Sequence, residues 1–259
     1  MNYAFIGCGN MAGAILERCL KVDFIKNPSD VWVCENNNER LNHFKNTLGT
    51  RGGTDPTDAA VFGDIIILGV KPNIASEVVE KVVNVPHMNE KLVISMIAGY
   101  NTNNIFADRK TPFVRIMPNL NAKNGGSVTG VAYNEYVNAE QKQTVYGFVN
   151  AFGSFHEIPE KLFGVFTAIA GCSPAFTYMY VDALARAAAR LGMDKKQALS
   201  IAAKSVWGSA ENLAESSEHP WELIDQVCSP GGMTAKGVYS LQKNAFEAIV
   251  SQAVEECLR

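Results

Sequence analysis

Two short runs in this chain pair glycines with amide or hydroxyl side chains in a pattern suited to holding an anion. The first is Gly7-Cys8-Gly9-Asn10-Met11-Ala12, and the second is Ser229-Pro230-Gly231-Gly232-Met233-Thr234. The first has the spacing G-x-G-x-x-A. It follows an apolar run, Tyr3 to Ile6, and opens a helical pattern from Met11 to Val22. In that setting Gly7 permits a tight turn, Gly9 lets the backbone approach a pyrophosphate, and small Ala12 and Gly13 let the helix pack close on the strand. The helix start offers free N–H groups and partial positive charge to the phosphates. The chemistry implied is dinucleotide binding, hence hydride transfer. The competing reading is a glycine turn that serves packing alone.

Further residues fall where such a cofactor would extend. Glu35 follows the next strand-like run, Val31 to Cys34, with Asn36 and Asn37 after it. An acid there can accept from a ribose 2′-OH and would repel a 2′-phosphate. Asn36 and Asn37 can instead bond a phosphate as neutral groups, and Arg40 can pair with it, so NADH and NADPH both stay open, with a lean to NADH. Alternatively, Glu35 is a solvated residue starting the next helix. Val70-Lys71-Pro72 follows the apolar run Ile65 to Leu68. Pro72 suits a helix start and Lys71 places a cation near the cofactor; a lone lysine otherwise reads as surface solvation. Ala98-Gly99, after Leu92 to Ser95, and the segment from Arg115 to Asn119 make further small or polar turns on the same edge.

The second run interrupts a helical region. Ser-Pro-Gly-Gly breaks one helix and a new one starts near Thr234, so backbone N–H groups can converge on a carboxylate, with Ser229 adding a hydroxyl. The alternative is a plain interhelical turn in which Thr234 caps the new helix. Gly171-Cys172-Ser173-Pro174-Ala175 is a third break, read as a kink between two core helices or as part of the site.

The elements that must position these turns follow from periodicity. Short apolar runs at 3–6, 31–34, 65–68, 92–95 and 113–116 alternate with helical patterns near 11–22, 37–48 and 74–83. Such alternation predicts a mainly parallel sheet covered on both faces, an α/β Rossmann-type domain over residues 1–158. From 159 to 259 the patterns are helical: Lys161 to Leu191, Lys195 to Ala214 and Leu241 to Leu258. This all-α part has little polar surface and is expected to bury some of it against a second subunit.

Composition bounds the rest. The chain has 259 residues, 47% apolar and 19% charged, with net charge −3 and scattered Lys and Arg, so no nucleic-acid partner is expected. The six cysteines form no C-x-x-C pair and no His stands at ligand spacing, which points to no metal and to inert thiols in a reducing, cytoplasmic setting. No signal peptide is read at the start. Leu162 to Val181 carries no charge over a length that could span a bilayer, but its glycines, Pro174 and tyrosines favour an interrupted, buried core helix over a membrane segment.

Taken together, Gly7 to Met11, Gly69 to Pro72, Arg115 with Met117 to Asn119, Gly171 with Pro174-Ala175, Glu218 to Pro220 with Leu223, and Asp225 with Ser229 to Gly232 and Thr234 give the chain a full-length resemblance to the pyrroline-5-carboxylate reductases. The last segment is the most specific. The resemblance implies reduction of the C=N bond of 1-pyrroline-5-carboxylate to L-proline by NADPH or NADH, in a homodimer or a larger ring whose helical domains interlock. It assigns Gly7, Gly9, Asn10, Met11, Val70, Lys71, Pro72, Ala98 and Gly99 to the cofactor. Ser229, Gly231 and Gly232 would hold the substrate carboxylate, and Thr234 would bond the ring nitrogen as the catalytic side chain. Departures include Ala170, Cys172 and Ser173, Met233, Leu120-Asn121-Ala122, and Glu35 in place of a small hydroxyl residue. The rival readings are a reductase of another cyclic imino acid and a non-catalytic dinucleotide-binding regulator.

Overall fold

Runs of apolar residues buried on both sides make the centre of the sheet-bearing part of the chain. The computed structural model describes residues 1–103 and 105–259. Contacts divide the chain into two units, Met1–Gly171 and Cys172–Arg259.

The first unit runs β1 (Tyr3–Ile6), α1 (Asn10–Lys21), β2 (Val31–Cys34), α2 (Asn38–Asn42), β3 (Arg51–Gly53), α3 (Pro56–Phe62), β4 (Ile65–Leu68), α4 (Pro72–Val83), β5 (Leu92–Ser95) and α5 (Ile105–Asp108). It continues with β6 (Phe113–Met117), β7 (Ser127–Tyr133), α6 (Ala139–Asn150), β8 (Gly153–Glu157) and α7 (Phe163–Phe166). The strands form one sheet in the order β3-β2-β1-β4-β5-β6-β7-β8. β1 to β6 are parallel, β7 runs antiparallel to β6, and β8 is parallel to β7. Every residue of β1, β4 and β5 is buried, as expected of parallel strands with helices on both faces. On one face Ile15 and Leu16 of α1 are fully buried with Phe5, Ile67 and Phe148, each apolar side chain contributing about 1.5–3 kcal/mol. On the other face Ala59, Ala60, Val79 and Val82 pack against Ile66, Leu68 and Val93. The strand order reverses between β1 and β4, so the connections after these two strands part to opposite faces. Ligand crevices of open α/β sheets form at that point, beyond the strand carboxyl ends.

Three expected helices differ from the pattern. The segment from Asn37 to Leu48 is an α-turn followed by a π-helical turn, His43–Thr47. Another π turn, Thr167–Gly171, interrupts the helical run that begins at Glu160. That run, residues 160–190, is long and apolar enough to cross a bilayer, yet only 17% of its most apolar window is buried within the chain. The expectation of a helix buried in this chain's own core is therefore corrected: the run's apolar surface is largely left open by its own fold.

The second unit comprises α8 (Ser173–Arg190), α9 (Lys195–Glu215), α10 (Pro220–Val227), α11 (Met233–Lys243) and α12 (Phe246–Glu256). α8 and α9 meet through small residues, with Val181, Ala185, Ala198 and Ala202 buried. α9 begins at Asp194, whose carboxylate accepts from the Gln197 N–H at 2.9 Å, a side-chain N-cap. The single helix expected from Leu241 to Leu258 is two helices, parted at Asn244-Ala245, where Ala245 adopts φ +57°. No glycine or proline announces that break.

Candidate functional site

The turn between β1 and α1 is fixed by what surrounds it. Gly7 has φ +82°, and a Cβ there would lie 2.5 Å from Val70 Cγ1 and 2.7 Å from the Val70 nitrogen. Both the conformation and the space require glycine. The Gly7 N–H donates to the Cys34 carbonyl at 2.9 Å and the Gly69 N–H to the Ile6 carbonyl at 2.8 Å. These bonds tie the ends of β1, β2 and β4 into one edge and bring Val70 against Gly7. Gly9 is the N-cap of α1, with ordinary φ −71° and no side-chain cap. The nearest atom to a Cβ on Gly9 is Arg40 Nη1 at 3.5 Å, at the far end of a flexible side chain. An uncapped helix start, no acid in its first turn, and a face over Gly9 approached only by the end of the flexible Arg40 side chain fit a dinucleotide pyrophosphate. Cys8 lies between the glycines but is buried; burial, with Glu35 and Glu17 adding to it, pushes its thiol far above the usual range. It therefore stays neutral and places no anion under the phosphates.

Other predicted cofactor residues sit around this edge. Met11 is half-buried in α1 and Asn10 is exposed at its first position. Glu35 follows β2, and its carboxylate accepts the Asn37 N–H at 3.0 Å. Asn36 is exposed beside it. Asn37 in turn caps α2 by accepting the Arg40 N–H at 3.0 Å. Lys71 is the N-cap of α4 and Pro72 its first residue. Ala98 and Gly99 follow β5 with Gly99 at φ +79°. A cleft of about 720 Å³ adjoins the glycine turn and runs beside α1, reaching Arg40 on one side and Leu120 and Lys123 on the other. Of the predicted cofactor residues only Gly9 and Asn10 line that cleft; Gly7, Met11, Glu35, Asn36, Val70, Lys71, Pro72, Ala98 and Gly99 do not.

The Arg115 to Asn119 segment proves to be a brace. Arg115 on β6 donates from Nη1 to Glu160 at 3.0 Å, and its guanidinium carbon lies 4.5 Å from the centre of the Phe163 ring. The same carboxylate accepts from the Thr102 N–H and hydroxyl at 2.9 and 2.6 Å. Asn119 is buried: its N–H donates to Ser127 Oγ at 3.1 Å and its side-chain amide donates to the Ala170 carbonyl at 2.8 Å. Thr102, Ser127 and Glu160 were not singled out from sequence. A charged residue in the middle of an otherwise apolar strand run, Phe113-Val-Arg-Ile116, was the available signal.

The second glycine turn lies between α10 and α11. The Gly232 N–H donates to the Ser229 carbonyl at 2.9 Å, and Gly231 has φ +70° with nothing within 4 Å of where a Cβ would stand. The cap of α11 is Gly232, with no side-chain cap. Thr234 is the second residue of the helix and exposed, and its hydroxyl makes no hydrogen bond among the described residues. The capping role weighed for Thr234 is thus corrected: a side chain one residue inside the first turn cannot do what the N-cap does. Glu218 to Pro220 is helix-start machinery. The His219 N–H donates to Glu222 at 2.9 Å, and Gln226 donates to Glu218 at 2.8 Å. Cys172 precedes α8 as its cap residue, with Pro174 in the first turn.

Comparison with known proteins bears on both units. Residues 160–259 match a family model described as pyrroline-5-carboxylate reductase dimerisation. Residues 2–99 match one described as NADP oxidoreductase coenzyme F420-dependent. The pyrroline-5-carboxylate reductase of Escherichia coli K12 is 33% identical over 258 residues, 98% of this chain and 94% of that protein. The crystal structure of the 1-pyrroline-5-carboxylate reductase of Streptococcus pyogenes is 33% identical, with TM-score 0.83 over 100% of this chain and 96% of that one. The pyrroline carboxylate reductase of Plasmodium falciparum, solved with NADP bound, is 28% identical, with TM-score 0.87 over 100% and 95%.

Proposed function

The chain belongs to the pyrroline-5-carboxylate reductase family, and from that premise we propose that it reduces 1-pyrroline-5-carboxylate to L-proline with NADPH or NADH. The observation that carries the reading is that the likeness spans the dinucleotide-binding and helical parts alike, 98% of the chain. The match of residues 160–259 to a dimerisation domain supports a homo-oligomer, and we take the minimal species to be a dimer. The open apolar surface of residues 160–190 supports this. Residues 1–158 then serve the cofactor and 159–259 the substrate and assembly. Free cysteines throughout the described residues support a cytoplasmic setting.

Gly7, Gly9, Asn10 and Met11 would hold the pyrophosphate, Glu35 and Asn36 the adenosine ribose, and Val70, Lys71, Pro72, Ala98 and Gly99 the rest of the cofactor. When bound, the dinucleotide supplies the hydride. The protein supplies position and electrostatics. Ser229 offers a hydroxyl and Gly231 a backbone N–H to the substrate carboxylate, while Gly232, whose N–H closes the turn on the Ser229 carbonyl at 2.9 Å, gives it room to approach. The Thr234 hydroxyl, free of any capping duty, accepts a hydrogen bond from the N–H of the protonated ring imine and can donate to that nitrogen once its lone pair forms on reduction. The C=N carbon is the hydride acceptor, and the nitrogen keeps its proton in the secondary amine. Cys19 and Cys34, with thiols pushed up by burial to about 12, are neutral and unfit as nucleophiles.

Oxidation of NADPH or NADH that depends on added 1-pyrroline-5-carboxylate, with proline as product, is the expected result. Equal turnover of a six-membered cyclic imino acid would move the substrate assignment. Dinucleotide binding without turnover of either compound would overturn the reductase reading.

A further inference from the structure

Arg40 stands where a neutral phosphate cradle would be expected to have no side chain at all. In the glycine turn itself, phosphate recognition rests on backbone N–H groups and the helix start. Here the guanidinium of an exposed arginine reaches from α2 over that turn. Its Nη2 donates to Asn10 Oδ1 at 2.8 Å, and its Nη1 lies 3.5 Å from the position a Cβ would take on Gly9. That is the face a pyrophosphate must approach. The aim is built in: Glu35 accepts the Asn37 N–H, and Asn37 accepts the Arg40 N–H, both at 3.0 Å. Two consecutive hydrogen bonds thus set the start of α2, and with it the point from which Arg40 reaches. The guanidinium has no carboxylate partner among the described residues. Nearby Glu17 faces His43 at 3.4 Å, and Lys123 lies across the cleft.

We propose that Arg40 contacts the cofactor's pyrophosphate, exchanging its bond to Asn10 for a charge-assisted bond to a phosphate oxygen when the dinucleotide binds. The resting bond is to a neutral amide oxygen. A phosphate oxygen is the stronger acceptor for a planar guanidinium fork, so the exchange favours the bound state. The contact is to a group that NADH and NADPH share. It therefore raises affinity for both and leaves the choice between them to the Glu35 end of the site. This inference rests on the proposed dinucleotide role of the glycine turn.

The test is direct binding of NADH and of NADPH to the full-length wild type and to Arg40→Gln, followed by tryptophan fluorescence or calorimetry without imino acid. The proposal expects both dissociation constants to rise by a similar factor, about ten-fold for one charge-assisted bond at a screened site. Arg40→Lys should fall between the two, since it keeps charge and loses the fork. The melting temperature should hardly move, since Arg40 is exposed. The wild-type affinity should weaken with added salt more steeply than that of Arg40→Gln. Loss confined to NADPH would assign Arg40 to the 2′-phosphate and overturn the proposal. Unchanged affinity for both would overturn it too and leave Arg40 a surface partner of Asn10. Wild-type protein that binds neither dinucleotide would instead overturn the reading of the glycine turn, and this proposal with it.

Discussion

The two glycine turns use the same physics and are finished to different degrees. The turn at Gly7 is closed by its own fold: its glycine presses on the Val70 backbone, the Gly7 N–H is spent on the Cys34 carbonyl, and its cysteine is sealed beneath. The turn at Gly231 has the same left-handed glycine before a helix start, yet nothing from its own chain packs on that glycine. The hydroxyl that follows it, on Thr234, is free. One turn is a structural part that also presents a binding edge. The other is left open by its own chain, as suits the substrate role proposed for it. A residue can therefore be essential in either turn for opposite reasons, and stability measurements separate them.

The largest effect is expected at Gly7. Gly7→Ala adds both a left-handed conformation and a clash with Val70, and should cost about 3–5 kcal/mol. Denaturant melts should show it, and a loss under 1 kcal/mol (a threshold well below the roughly 1–3 kcal/mol of strain alone) would mean the turn is less constrained than its geometry indicates. Gly9→Val comes next, because Gly9 has ordinary φ and only the end of the Arg40 side chain near its Cβ position. The variant should stay folded and lose dinucleotide binding, with affinity lowered at least about 100-fold if a branched side chain occupies the phosphate's place. Retained affinity would remove this turn from the cofactor site. Gly231→Ala meets no neighbour, so only backbone strain of about 1–2 kcal/mol is expected, together with a raised KM for the imino acid. Smallest is Glu35→Ser, which should shift kcat/KM toward NADPH relative to NADH by roughly ten-fold for one half-buried charge. An unmoved ratio would show that Glu35 serves only to hold the Asn37 N–H.

Much of this was legible in the residues. Tyr3–Ile6, Val31–Cys34, Ile65–Leu68 and Leu92–Ser95 are strands with the bounds their apolar runs imply, because a strand buried on both faces has to be apolar throughout. The outer part of the sheet was not legible. β3 is Arg-Gly-Gly, too short and too small to carry a pattern. β7 buries Ser127 and Thr129, whose hydroxyls pair at 3.1 Å, so its sequence reads as polar. α6 was signalled only by its cap, where Asn138 and Gln141 bond each other's backbone N–H at 2.9 and 3.0 Å. The break at Ala245 has no local signal, since it sits on an alanine held at positive φ. Among site residues, spacing placed the glycines and Thr234 correctly along their elements. It could not show that Arg115 and Asn119 act as braces, which depends on partners up to 51 residues away.

The central claim is that the second turn keeps Thr234 for chemistry and the fold does not need it. Thr234→Ala, compared with wild type and Thr234→Ser, tests it in one pairing of thermal melts with steady-state kinetics on 1-pyrroline-5-carboxylate. The expected result is an unchanged melting temperature, kcat/KM lowered about ten- to a hundred-fold in the alanine variant, and most activity kept with serine. Wild-type kinetics in Thr234→Ala, with or without a loss of stability, would contradict the account.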